Sequence, residues 1–160
     1  MSRLKELFEE LHFDEVNTFI ASGNVLFSSK ATDTSALESK IAGHLEVSLG
    51  YDVDTFVRTA KEVVAIGGAK FFPEDGDEGI IVHVGLLQQK LPAEIAKKLA
   101  AVRTAGDEFR VNGREYYWLC RTLTHESKAW TLPEIKALKL PTSTMRNLTS
   151  IRKLIAKHLT

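Results

Sequence analysis

Leu4, Leu7, Phe8 and Leu11 fall at i, i+3, i+4 and i+7, with Lys5, Glu6, Glu9 and Glu10 outside that stripe. The chain therefore opens on an amphipathic helix. Val16 to Ile20 and Val25 to Phe27 read as two short strands. Between them Ala21-Ser22-Gly23-Asn24 carries two residues tolerant of positive φ, which predicts a hairpin. Asp33 or Thr34 is placed to cap a helix with Leu37, Ile41, Leu45 and Leu49 on one side, and Gly50 stops it. Asp52 to Val57 is expected as a strand, and a short helix follows Thr59 and ends at Gly67-Gly68. Ile80 to Leu87 is a nearly continuous apolar run, suited to a central strand buried on both faces. Pro92 stands at the first turn of a helix with Ile95, Leu99 and Val102. Phe109 to Val111 and Glu115 to Leu119 flank Asn112-Gly113, a strong hairpin signal. A short helix is expected within 132–140, and a final one from about Arg146 to Leu159.

This order predicts an α+β fold of two ferredoxin-like, split βαβ subdomains with helices on one face of each sheet. The first lacks its opening strand, and the second lacks an obvious closing one. Residues 73–79, acidic, glycine-containing and without an apolar anchor, are the expected linker between subdomains 1–72 and 80–160.

At 160 residues, 44% apolar and 26% charged, the chain can bury a core, and its formal net charge is zero. The charge is unevenly spread. Residues 1–120 hold 13 basic and 19 acidic side chains, residues 121–160 hold 8 and 2. The basic tail either docks on the acidic body or faces an anionic partner. Cys120 is the single cysteine, so no internal disulfide and no multi-cysteine metal site can form. The charged N-terminus carries no apolar signal region, and no apolar stretch approaches the ~18 residues of a membrane span. The expectation is a reducing cytoplasm and no membrane.

The run Thr18-Phe19-Ile20-Ala21-Ser22-Gly23-Asn24-Val25-Leu26-Phe27-Ser28-Ser29 resembles the TYIQSGNVVFSS-like hairpin of a bacterial family, domain of unknown function 1697. Phe56-Val57-Arg58-Thr59, Val82-His83-Val84, Gly106-Asp107-Glu108-Phe109, Tyr117-Trp118-Leu119-Cys120 and Ser127-Lys128 resemble later family segments. Met145 to Leu154 is similar to its C-terminal segment. The resemblance implies a pair of ferredoxin-like subdomains and no particular activity. Members usually begin with a strand and a loop of the type LLRGINVGGK, which this chain does not show before its first helix. Either the sequence is truncated or the first sheet has lost an edge strand, and an exposed edge of that kind would let copies pair into a homo-oligomer. Members also carry a glycine-containing loop before the Ser-Lys pair, where this chain has Arg121-Thr122-Leu123-Thr124-His125-Glu126.

Ser22 and Asn24 could present a hydroxyl and an amide to a ligand, but Gly23 and Asn24 are also what a tight turn requires. Cys120 lacks an assigned base and reads as a small buried hydrophobe. The five histidines show no metal-ligand spacing, and His83 reads as a packed, hydrogen-bonded residue. Tyr116 and Trp118 share one face of a strand and Tyr117 takes the other, as core packing requires. On the last helix Leu148, Ile151, Leu154, Ile155 and Leu159 form the buried face, with Arg146, Lys153 and Lys157 in an opposite stripe about 40° wide. Thr142, Ser143 and Thr144 would precede that helix, so Thr142, Ser143, Thr144, Arg146, Asn147 and Lys153 form a candidate anion-binding set. The fitting reading is a binding or interaction module for an anionic ligand, either a phosphorylated small molecule or nucleic acid. An enzyme without a recognisable motif and a structural or assembly protein are the alternatives. Neither metal nor cofactor is called for.

Overall fold

The computed structural model describes residues 2–19 and 23–159. The fold is α+β, and the chain forms two compact units, Met1–Thr59 and Ala60–Thr160.

In the first unit, helix α1 (Ser2–Glu10) and helix α2 (Thr34–Leu49) accompany an antiparallel pair, β1 (Asp14–Phe19) and β2 (Asn24–Ser28). The expected heptad-like stripes make the core: Leu7, Phe8, Leu37, Ile41 and Leu45 are buried with Phe13 and Val16. Phe27 stacks on Phe13 at 4.3 Å between ring centroids. Asp33 caps α2 by accepting from the Ala36 N–H, and Gly50 ends it in the left-handed region at φ 82°. Residues 52–57 are not a strand, contrary to the sequence pattern. The reason is local. The buried carboxylate of Glu38 accepts the Val57 N–H at 2.8 Å, taking a donor that a sheet ladder would have used.

The second unit contains α3 (Ala60–Gly68), β3 (Ile81–Leu86), α4 (Ala93–Ala101), β4 (Asp107–Asn112), β5 (Glu115–Cys120), α5 (Pro133–Lys136), β6 (Thr144–Asn147) and α6 (Leu148–His158). Two 3₁₀ turns, Thr124–Glu126 and Ala129–Thr131, lie between β5 and α5. Its strands form one sheet in the order β4-β5-β3-β6, every neighbour antiparallel. The β4–β5 hairpin turns at Asn112-Gly113, as the sequence predicts. The closing strand is supplied by Thr144–Asn147, and α6 begins at Leu148 rather than at Arg146. β3 offers a row of backbone groups on the side away from β5, and pairing 144–147 there satisfies more of them than a helical turn could.

Helices cover both faces of this sheet, not one. Val82, Val84, Tyr117 and Leu119 pack against Ile66 of α3 and Leu148 and Ile151 of α6. Tyr116, Trp118 and Cys120 pack on the other face against Leu99 of α4, Ala129 and Ile135. Gly85 of β3 is required there: a Cβ at this position would lie 2.1 Å from the Tyr116 ring.

The segment 73–79 lies inside the second unit, and the units divide at Thr59/Ala60 instead. It is a series of turns, with Gly76 and Gly79 at positive φ, held down by charge. Arg152 grips Asp75 in a two-pronged pair at 2.9 and 2.7 Å and also donates to the carbonyls of Gly67 and Ala69 at the end of α3. Arg121 forks onto Glu74 at 2.7 and 2.6 Å and reaches Glu108 as well. Part of the basic tail thus docks on acidic residues of its own unit. Hydrogen bonding to Arg121 holds the Glu74 and Glu108 carboxyls below their ordinary value.

Arg152→Met is expected to cost about 2 kcal/mol in urea unfolding, because it strands the nearly buried Asp75 carboxylate. Adding Asp75→Asn should recover much of that loss, and additive costs from the two changes would refute the coupling. Acid should reveal the other fork. The unfolded chain binds protons at Glu74 and Glu108 near the ordinary value of 4.5, and the folded chain only at lower pH. Their stabilisation is therefore complete above pH 4.5 and is lost as pH falls through the depressed folded values. Arg121→Leu should flatten the stability–pH curve in that window, which melts across a pH series will read.

Candidate functional site

The alternation of β5 sends Tyr116 and Trp118 to the same side of the sheet, where a cleft of about 540 Å³ opens. Its floor is these two rings. Thr124 of the first 3₁₀ turn and Trp130 of the second form one wall. Ile135 and Lys136 of α5 with Leu140 and Pro141 form another, and Ser143 and Met145 close it along β6. Trp130 stands edge-on to Trp118, 5.6 Å between centroids and 86° between planes, and similarly to Phe109.

The floor is fixed from behind. The Trp118 indole N–H donates to Asp107 Oδ1 at 2.8 Å, and Ser127 donates to the same oxygen at 2.8 Å. Thr104 donates to Asp107 Oδ2 at 2.7 Å, so this buried carboxylate organises β4, β5 and the loop after β5. His83 stacks on Trp118 at 4.8 Å and its Nε2 lies 3.0 Å from Thr124 Oγ1. Burial lowers the His83 pKa, which keeps the ring neutral at neutral pH. The Tyr116 hydroxyl lies 2.8 Å from Ser143 Oγ, and burial raises its pKa against the opposing effect of that hydrogen bond. Two hydroxyls at the cleft, Thr124 and Ser143, are thus each held by a ring on the sheet. Lys136 is exposed at the cleft, and no ion pair to it occurs among the described residues.

The sequence-derived anion set is divided by the appearance of β6. Ser143 lines the cleft, whereas Thr144 and Arg146 alternate to the opposite face. There the Arg146 guanidinium donates to Thr144 Oγ1 at 2.7 Å and to the Met145 carbonyl at 3.0 Å, and burial lowers its pKa. Asn147 is the N-cap of α6, accepting the Thr149 N–H at 2.9 Å. Thr142 is exposed before the strand, and Lys153 is exposed on α6. Neither Thr142 nor Ser143 stands at a helix N-terminus. Of the loop pair, Ser22 lies outside the described residues, and the Asn24 amide donates to the Phe19 carbonyl at 3.3 Å, as a hairpin residue does.

Cys120 is fully buried and its thiol donates to the Thr122 carbonyl at 3.1 Å. No group of three or more His, Cys, Asp or Glu able to hold a metal ion occurs among the described residues. None of their helices is long and apolar enough to cross a membrane. Trp130, Lys136 and Met145 were invisible as site residues in the sequence. Their one collective signal is that the chain's two tryptophans and a lysine cluster within twenty positions of a strand end.

No curated protein matches the chain. The solved structure of conserved bacterial protein SP0830 from Streptococcus pneumoniae is similar over 100% of this chain and 89% of its own, with a TM-score of 0.73 and 15% identity, a likeness of fold. Residues 1–117 match the family model described as "Protein of unknown function (DUF1697)", and the chain belongs to that family.

Proposed function

We propose that this protein is a binding module for a small anionic ligand, held in the cleft on the Trp118 face of the second unit. The observation that carries the reading is the convergence of one ammonium, Lys136, and two hydroxyls, Thr124 and Ser143, on otherwise apolar walls. Few polar groups placed among apolar ones is the usual composition of a small-molecule site. A lone lysine on a concave surface suits a small ligand better than nucleic acid, which needs a longer track of cations. The strand order β4-β5-β3-β6, with β3-α4-β4-β5-α5-β6 along the chain, supports reading the second unit as a split βαβ, ferredoxin-like domain. On that reading the cleft occupies a helix-bearing side of the sheet, where α5, the helix of the crossover after β5, spans only Pro133–Lys136 and leaves room.

Trp118 and Trp130 are the chain's two tryptophans and both line the cleft, so intrinsic tryptophan emission reports on this site alone. Titration with phenyl phosphate and with benzoate should change that emission saturably for at least one of them. Raising salt should weaken the binding. Lys136→Gln should weaken it about tenfold with an unchanged melting temperature, since an exposed lysine contributes little to stability. Lys153→Ala should leave it unaltered. An emission indifferent to both anions, or equal affinity in the Lys136→Gln protein, would overturn the reading.

A further inference from the structure

Resting on that reading, we infer that the ligand is a monocarboxylate on a largely apolar body, not a phosphate ester. The cleft presents one cation and two hydroxyls, and no acidic side chain lines it. A carboxylate carries one charge on two oxygens, and one ammonium with two O–H donors meets that need. A phosphoryl group brings nearly two charges and three strong acceptors, which proteins answer with arginine forks or the free N–H groups of a helix N-terminus. The arginine on β6 that could have supplied the second charge, Arg146, alternates to the other face of the sheet.

The supporting rings decide which way the hydroxyls act. A phenol is a better hydrogen-bond donor than an aliphatic alcohol. When the phenol donates in the Tyr116–Ser143 pair, the Ser143 O–H is left to point into the cleft. The raised Tyr116 pKa keeps that phenol protonated. His83 can do the same for Thr124: with the proton on Nε2 the ring donates to Oγ1 and the Thr124 O–H turns toward the ligand. An arriving anion selects that tautomer. Both hydroxyls then donate to the ligand, which suits an acceptor-only carboxylate. Ile135, Leu140, Pro141 and Met145 give the cleft an apolar stretch, which suits an apolar body on the ligand.

The test uses the full chain and tryptophan emission with three probes of one shape: phenylbutyrate, phenylbutyramide and phenylpropyl phosphate. Phenylbutyrate should bind at least about tenfold more tightly than either of the others. Lys136→Gln should bring it to the level of the amide. Ser143→Ala and Thr124→Val should each weaken phenylbutyrate about fivefold and leave the amide unchanged. Comparison of the three probes on the unaltered protein stands even where a variant unfolds. Tighter binding of the phosphate ester overturns this inference and leaves the anion-binding reading in place. Equal binding of amide and carboxylate, or binding of none of the three, overturns both.

Discussion

Arg152 joins parts of the second unit that the chain itself keeps far apart. One guanidinium closes the carbonyl end of α3 through Gly67 and Ala69 and clamps Asp75, while its helix presents Leu148 and Ile151 to the sheet. The geometry is a planar fork with five donors, four of its contacts being filled here, and lysine could not reproduce it. Because α6 starts directly after β6, fixing α6 also fixes where β6 meets β3. That register in turn decides which β6 side chains reach the cleft. An ion pair on one face of the sheet thereby sets the composition of a site on the other.

The same clamp explains why residues 73–79 pass for a linker in the sequence. Residues 73–79 look like a tether because they have no apolar anchor, and in local composition a tether and a charge-pinned loop are alike. Their anchors are Arg121 and Arg152, 47 and 77 positions away. Periodicity reports neighbours on one helix or strand and says nothing of such distant partners. Where the pattern is periodic the reading succeeded. The α1 and α2 stripes, the two hairpins, the buried β3 run and the apolar face of α6 all stand where their spacing puts them.

β6 shows the opposite case. Thr144-Met145-Arg146-Asn147 has no alternation, and before a strongly helical run it reads as a helix start. Its strand character comes from β3, a tertiary cause that outweighs local preference. That one change dispersed the anion set, because a strand sends successive side chains to opposite faces whereas a helix end would have gathered them. Of the site, the sequence revealed the shared face of Tyr116 and Trp118 and the hydroxyl of Ser143. Trp130 and Lys136 reach the cleft through the two 3₁₀ turns and the short α5, whose path no periodicity encodes.

The absence of a side chain at Gly85 has a consequence for how this sequence can change over time. With the Tyr116 ring lying against the backbone there, positions 85 and 116 are a lock: a methyl at 85 demands a smaller residue at 116. Losing the phenol would free Ser143 from its ring partner, and its hydroxyl would then be as ready to accept as to give. A neutral drift in the middle of a strand could in this way invert the polarity of one side of the cleft. A descendant chain could change what its cleft offers by way of hydrogen bonds without any substitution at Lys136, Thr124 or Ser143.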